Sequence, residues 1–284
     1  MRAHVLYTQL EKDFVKPGIV ENWYDDMTEL EEYICDNFKQ RSLGLVCDFA
    51  EEVNKVYTAV FPSDKVLTKI LNDGASNAML FLHHPSDWDL SRNPEQAFYQ
   101  MNAKLLDKFK ESKISIFNFH LPLDNFGEYA TTKTLADALS ITITKSFAKH
   151  NGAMCGVIGT TDCKDVHELN AKYTQVVGHQ TKLYKYGSDS ISNNTVGIVA
   201  GGGNDADTVR ELIDEGVNVL ISGLSMKNSY SQEAHELEEK HKINLLGGTH
   251  YSSEKFACIA VCKYFEKLGL PAEFIPDTPC LEDL

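Results

Sequence analysis

The sequence predicts an α/β fold of two domains, with mainly parallel sheets flanked by helices. Three observations carry this. Short β-rich runs alternate with helical periods along the chain, as in βαβ units. Several runs, such as "TVGIVAGGG" (195–203) and "VNVLISGL" (217–224), are apolar almost throughout, the pattern of buried strands. The 284 residues suffice for one large domain or two of ordinary size.

In chain order, "TELEEYICDNF" (28–38) reads as a helix with Thr28 and Glu31 placed as a capping box. "KVYTAVFP" (55–62) reads as a strand. "SDKVLTKILNDG" (63–74) reads as a helix with Ser63 as its N-cap and Gly74 closing it. "AMLFLHH" (78–84) is the next strand, "NPEQAFYQMNAKLLDKFKES" (93–112) a long amphipathic helix, and "ISIFNFH" (114–120) a strand. A helix ending in "FAKHNG" (147–152) precedes the strand "MCGVIGT" (154–160). The polar "KYGSDSISNN" (185–194) is a loop. Helices at 204–216 and 229–242 separate the later strands, and "INLLGGTHY" (243–251) is the last strand. In the final helix, "SSEKFACIAVCKYFEKLG" (252–269), Phe256, Ile259, Ala260, Tyr264 and Leu268 are helically spaced. The break near residues 140–152 divides the chain into domains 1–145 and 146–284. No internal repeat or low-complexity linker is evident.

Composition excludes some functions. A formal charge of -14 repels phosphodiester backbones, which argues against nucleic-acid partners. It leaves room for a small anionic substrate beside a bound cation, whose local charge outweighs the distant field. No apolar stretch reaches the roughly 18–20 residues of a membrane span, and the N-terminus lacks a secretory apolar core. The expectation is a soluble cytoplasmic protein. The seven cysteines are odd in number, scattered and without a CxxC, so they read as reduced thiols, with Cys258 and Cys262 in the core.

Three segments place histidine or carboxylate just after an apolar strand: His83 and His84; His120 with Asp124 in "FNFHLPLD"; and His250 with Glu254 in "GGTHYSSE". Ligands of open α/β sheets bind beyond the carboxyl ends of strands. Imidazole and carboxylate together suit a divalent metal. These are too many ligands for one catalytic zinc with three protein ligands, and about right for two ions sharing a bridging carboxylate. Pro85 forces His84 out of helical backbone, so the paired histidines can splay, each toward a different ion. H-x-x-x-D with Pro122 inside reads as a loop. Glu254 falls in the first turn of the final helix, with Ser252 or Ser253 as cap, where the helix dipole favours its charge. Ligand types do not choose among Zn, Fe, Mn, Co and Ni.

With "GLVCD" (44–48), "LFLHHP", "FHLPLDNFGEYATTKTLADAL", "VAGGG", "LISG" and "GGTHYSSEKFA" in this order, the chain resembles the Nif-three-like family (NGG-interacting factor type), also known as type 2 GTP cyclohydrolase I homologues. The resemblance runs from about residue 28 to the C-terminus. It implies two-domain α/β subunits with a dinuclear metal site in the cleft between the domains. The implied ligands are His83, His84, Asp124, His250 and Glu254, with Glu254 bridging and the C-terminal strand and helix returning His250 and Glu254 to the site. His120 matches a family histidine near the metals and is the candidate for proton transfer. The resemblance further implies a homohexameric ring and a hydrolase acting through a metal-activated water on a nucleotide or related small molecule, the proposed family reaction being opening of the GTP imidazole ring. A non-catalytic metal-binding scaffold or regulatory protein is the alternative, and a DNA-associated regulator a third reading.

The chain departs from the family pattern twice. Where the family usually has an acid after the penultimate strand, "ISGLSMKNSYSQ" (221–232) has Leu224. The apolar residues that usually follow the paired histidines become "HHPSDWDL". The segment before residue 28 is unmatched, and Trp23 reads as packing. "VAGGGND" (199–205) is either an anion nest at a helix N-terminus or a tight strand-to-helix turn. His150, His167, His179, His235 and His241 follow no ligand spacing and read as surface or satisfied residues. Asp87 and Asp89 are outer groups of the site or part of a solvated loop.

Overall fold

The computed structural model describes residues 1–93 and 96–284. The chain forms two compact units: residues 1–123 with 258–278, and residues 124–257 with 279–284. This partition differs from a division at 145/146. The last long helix begins in the second unit and ends in the first, a return that hydropathy along the chain does not encode.

In the first unit the elements are α1 (Ala3–Phe14), α2 (Asp36–Arg41), β1 (Gly44–Cys47), β2 (Lys55–Ala59), α3 (Asp64–Asn72), β3 (Ala78–Leu82), β4 (Asp87–Trp88), β5 (Phe98–Tyr99), α4 (Ala103–Glu111) and β6 (Ile114–Asn118). The helical turn α5 (Leu121–Asp124) ends this stretch. The second unit holds α6 (Thr131–Ala138), β7 (Thr142–His150), β8 (Ala153–Thr160), α7 (Val166–Val177), β9 (Lys182–Tyr184), β10 (Thr195–Val199), α8 (Ala206–Asp214), β11 (Val219–Ser222), α9 (Gln232–His241) and β12 (Asn244–Gly247). Helix α10 (His250–Lys267) then carries the chain to β13 (Ala272–Phe274) of the first unit.

The fold is α/β, with helices flanking sheets. The first sheet has the order β1-β6-β3-β2-β13, and β6, β3, β2 and β13 run parallel. Antiparallel β1 closes one edge. Helix α3 covers this sheet because Val66, Leu67 and Ile70 share one face, packing in the cluster that holds Tyr57, Leu80 and Ile116. Each such side chain, fully buried, contributes about 1.5–3 kcal/mol. Ser63 caps α3, its side chain accepting from Val66 N–H, as its sequence predicts. The second sheet, β7-β8-β10-β11-β12-β9, is mixed rather than mainly parallel. Only its centre, β10-β11-β12, is parallel, because the β7–β8 hairpin and β9 add antiparallel edges.

Several elements differ from the expectation. Residues 28–38 are not one helix: Leu30, Ile34 and Phe38 are buried at helical spacing, but Cys35 N–H is taken by Val46 O at 2.8 Å. Thr28 falls inside a 3-10 turn, Thr28–Leu30, whose N-cap is Met27 and whose C-cap is Glu31, so the two are not placed as a capping box. The helix expected over 93–112 is confined to α4, capped by Asn102, after the short β4–β5 pair; its residues 94 and 95 lie outside the described residues. The stretch ending in "FAKHNG" is strand β7, whose β-branched "TIT" start favours extended backbone. Pro122 sits in the first turn of α5, where no N–H is needed, so H-x-x-x-D is helical rather than a loop. The last strand stops at Gly247 and α10 starts at His250, two residues earlier than expected. Thr249 rather than Ser252 or Ser253 caps it, accepting from Ser252 N–H at 3.1 Å. Cys258 is buried and Cys262 half-buried, its Sγ 3.3 Å from Thr58 Oγ1. Among the described residues, no helix is long and apolar enough to cross a membrane.

Candidate metal centre

In the first unit, β3 and β6 are parallel neighbours paired as far as Leu82 and Asn118, so their carboxyl ends emerge side by side. Backbone bonds hold the residues that follow: His83 N–H to Ala59 O at 3.2 Å, His84 N–H to Val60 O at 2.9 Å, and Phe119 N–H to Leu82 O at 3.0 Å. Asn118 Nδ2 donates to His83 O at 2.6 Å. Backbone bonding thus extends two residues past the end of β3, through the paired histidines. Their rings nonetheless both lie near His120, with centroids 5.1 Å away for His83 and 4.7 Å for His84. One ring nitrogen from each of the three lies within 4.8 Å of the others.

His83 Nδ1 stands 3.2 Å from Phe119 O. A carbonyl oxygen only accepts, so this contact places the hydrogen on Nδ1 and the lone pair on Nε2, a tautomer that suits ligation through Nε2. His84 stacks on Phe61 with centroids 4.7 Å apart, and the edge of Trp23 meets it at 5.6 Å. His83 and His84 are buried, and His120 is half-buried.

One residue here, Glu21, has no sequence signal, and a second, Trp23, does more than its sequence suggests. Glu21 Oε1 lies 2.8 Å from His120 Nδ1 and also accepts from Trp23 Nε1 at 3.0 Å and Leu121 N at 3.2 Å. Trp23 is more than packing at a distance, since its ring meets His120 at 5.0 Å as well as His84. Neither residue belongs to an element longer than a 3-10 turn, so no periodic signal marks them. Asp87 is no solvated loop residue. It is buried, accepts from Trp88 N–H at 2.9 Å, and burial pushes its carboxyl up to about 6 although the Trp88 bond and Arg92 oppose this. Asp89 caps a surface turn through Ser91 and Arg92.

In the second unit, starting α10 at His250 puts His250 and Glu254 one turn apart on the same face. Both are buried, with Nε2 and Oε1 3.2 Å apart. Buried Asp283 accepts from His250 N–H at 2.7 Å and so fixes the helix start. Gly201 has φ +64° and packs against this turn: its N–H donates to Ser253 Oγ at 2.9 Å, and a Cβ there would overlap Glu254 Oε1. The glycine run therefore serves a tight turn that brings backbone against a carboxylate. Leu224 N–H donates to Gly201 O at 2.8 Å and Tyr230 OH to Gly202 O at 2.9 Å, so the divergent 221–232 segment buttresses this loop. Asp124 Oδ1 accepts from Thr131 Oγ1 at 2.6 Å.

The other histidines behave as expected. His150, His167 and His241 are exposed. His179 bonds Ser252 Oγ at 2.8 Å, and His235 bonds Tyr186 OH at 3.0 Å and Ser225 O at 3.1 Å.

The donor chemistry fits a divalent cation. Three imidazoles with ring nitrogens within 4.8 Å of one another stand in the first unit, and a buried histidine–glutamate pair stands in the second with no side chain at Gly201 to crowd its carboxylate. This buried histidine and glutamate chemistry can hold a metal ion.

A relative from Pyrococcus horikoshii, named GTP cyclohydrolase 1 type 2 homolog, is 27% identical over 242 residues, covering 83% of this chain and 89% of its own. A protein of the same name from Archaeoglobus fulgidus is 25% identical over 261 residues, covering 90% and 96%. Among solved structures, protein ybgI, of unknown function, superposes with a TM-score of 0.76 at 18% identity, over 99% of this chain and 100% of that one. Reduced HcgD from Methanocaldococcus jannaschii gives 0.68 at 19% identity, over 98% of each. At those identities the two structures support the fold alone. The profile of the Duf34/NIF3 family (NGG1p interacting factor 3) matches residues 27–279, and the chain belongs to that family.

Proposed function

We propose that the protein is a dinuclear metal-dependent hydrolase acting on a nucleotide or related small molecule. His83, His84, Asp124, His250 and Glu254 would hold the two cations, with Glu254 as the shared carboxylate. The observation that carries this reading is the clustering of His83, His84 and His120, with one ring nitrogen of each within 4.8 Å of the others and His83 Nδ1 turned to Phe119 O at 3.2 Å, so that its Nε2 is the nitrogen that would ligate. Cations bound there would polarise a substrate oxygen and make water a better nucleophile near neutral pH. His120 holds and moves a proton at Nε2, since its Nδ1 faces Glu21. His84, clamped between Phe61 and the edge of Trp23, has its ring plane set before any ligand arrives. Family names of the type "GTP cyclohydrolase 1 type 2 homolog" support a purine nucleotide as the first substrate to try. A homohexameric ring, a cytoplasmic location and the absence of nucleic-acid partners belong to the same proposal, the last supported by the charge of -14.

The second reading is a metal-binding scaffold without turnover. It is favoured by buried Leu224 at the position where an acid is usual. One experiment separates the two. Native protein is analysed for metal per chain, whichever of Zn, Fe, Mn, Co or Ni it carries, then assayed against nucleotides, cyclic amides and phosphoesters. Turnover that disappears in Glu254→Ala supports the hydrolase. Stoichiometric metal with no turnover supports the scaffold.

A further inference from the structure

We infer that Glu21 is the positioning residue of His120, holding it as the Nδ1–H tautomer with Nε2 directed away from Glu21. Residue 21 lies outside the family match at 27–279, so this chain supplies the carboxylate from its own N-terminal segment. Three donors converge on Glu21 Oε1: His120 Nδ1 at 2.8 Å, Trp23 Nε1 at 3.0 Å and Leu121 N at 3.2 Å. The Glu21 side chain is 2% exposed, so these bonds offset the desolvation of a carboxylate rather than decorate a surface.

A carboxylate oxygen only accepts, so the ring nitrogen facing it must carry the hydrogen. Trp23 Nε1 and Leu121 N donate to the same oxygen and hold it beside His120 Nδ1. Leu121 directly follows His120 in the chain, so the same oxygen fixes backbone and ring together. The edge of Trp23 meets the His120 ring at 5.0 Å and limits its rotation. Carboxylates behind a histidine generally set its tautomer and ring plane in this way. The part this plays in turnover rests on the hydrolase reading. The tautomer itself does not.

The test is nitrogen-15 spectroscopy of the full chain, metal-free and without substrate, at a pH where histidine is neutral. His120→Gln identifies the resonances. In the wild-type protein Nδ1 of His120 is expected at the protonated, pyrrole-like end of the range and Nε2 at the bare, pyridine-like end. Glu21→Gln keeps an acceptor oxygen and retains this pattern. Glu21→Leu removes it and moves the hydrogen toward Nε2. Wild-type protein with Nε2 protonated, or Glu21→Leu with both nitrogens unmoved, overturns the inference. The wild-type spectrum decides even where Glu21→Leu does not fold. Because no metal or activity enters the measurement, failure of the hydrolase assay leaves this result standing.

Discussion

Gly201 lies so close against Glu254 that a methyl group on its Cα would overlap the Oε1 carboxylate oxygen. Its φ of +64° adds a second reason for glycine. Gly201→Ala is expected to lose about 1–2 kcal/mol from left-handed backbone and about 1–3 kcal/mol more from overpacking. Gly178, at φ +86° with open space where a Cβ would sit, provides the control. Gly178→Ala carries only the backbone cost, about 1–2 kcal/mol. Urea denaturation of both variants checks the difference, and equal losses would mean that Glu254 does not press on Gly201.

Helix α7 depends on one side chain at its start. Asp165 Oδ1 accepts from His167 N–H and Glu168 N–H, both at 2.9 Å. Asp165→Ala is expected to destabilise the second unit by about 0.5–2 kcal/mol, and Asp165→Asn by much less, because the acceptor oxygen stays. Thermal melts of the two variants distinguish a cap from a surface charge.

Asp87 makes stability depend on pH in a definite direction. Burial raises its folded-state value to about 6, above the 3.8 of an ordinary aspartate. Between those values the folded protein binds the proton and the unfolded chain does not, so stability falls as pH rises from about 4 to about 6. The loss is at most about 3 kcal/mol. Asp87→Asn keeps an oxygen for Trp88 N–H and carries no charge. Its denaturation midpoint is expected to be flatter over this window and higher than wild type at pH 7. A wild-type midpoint that rises across the window would show that Asp87 is not the buried acid described.

What the sequence made legible follows from which forces are local. Ser63, Val66, Leu67 and Ile70 announced α3 because a cap and an apolar stripe are adjacent in the chain. His83, His84 and His120 announced a site because parallel β3 and β6 must end on the same side. Helix α1 buries Ala3, Leu6, Tyr7 and Leu10 at helical spacing, an apolar stripe that is local in the chain. Other features were hidden because their causes are distant in the chain. Val46 O removes Cys35 from a helix, β13 joins β2, and Glu21 reaches His120 across 99 positions. The β7–β8 hairpin and β9 made the second sheet mixed, since alternation of apolar runs does not report strand direction.

The most informative pair of substitutions separates holding a metal from using it. Glu254 pairs with His250 on one helical face and, on the hydrolase reading, would be a cation ligand, so Glu254→Ala is expected to lower metal content and abolish any hydrolysis together. His120 stands apart because its Nδ1 is committed to Glu21, and on the hydrolase reading its Nε2 carries protons rather than a cation. His120→Ala is then expected to retain the full metal count while turnover falls about 100- to 10,000-fold, the usual worth of positioned acid–base catalysis. Metal analysis and steady-state rates on the same preparations make the comparison. Loss of metal in His120→Ala would instead make His83, His84 and His120 a three-histidine ligand set, as their nitrogens within 4.8 Å allow, and would remove His120 from the proton path.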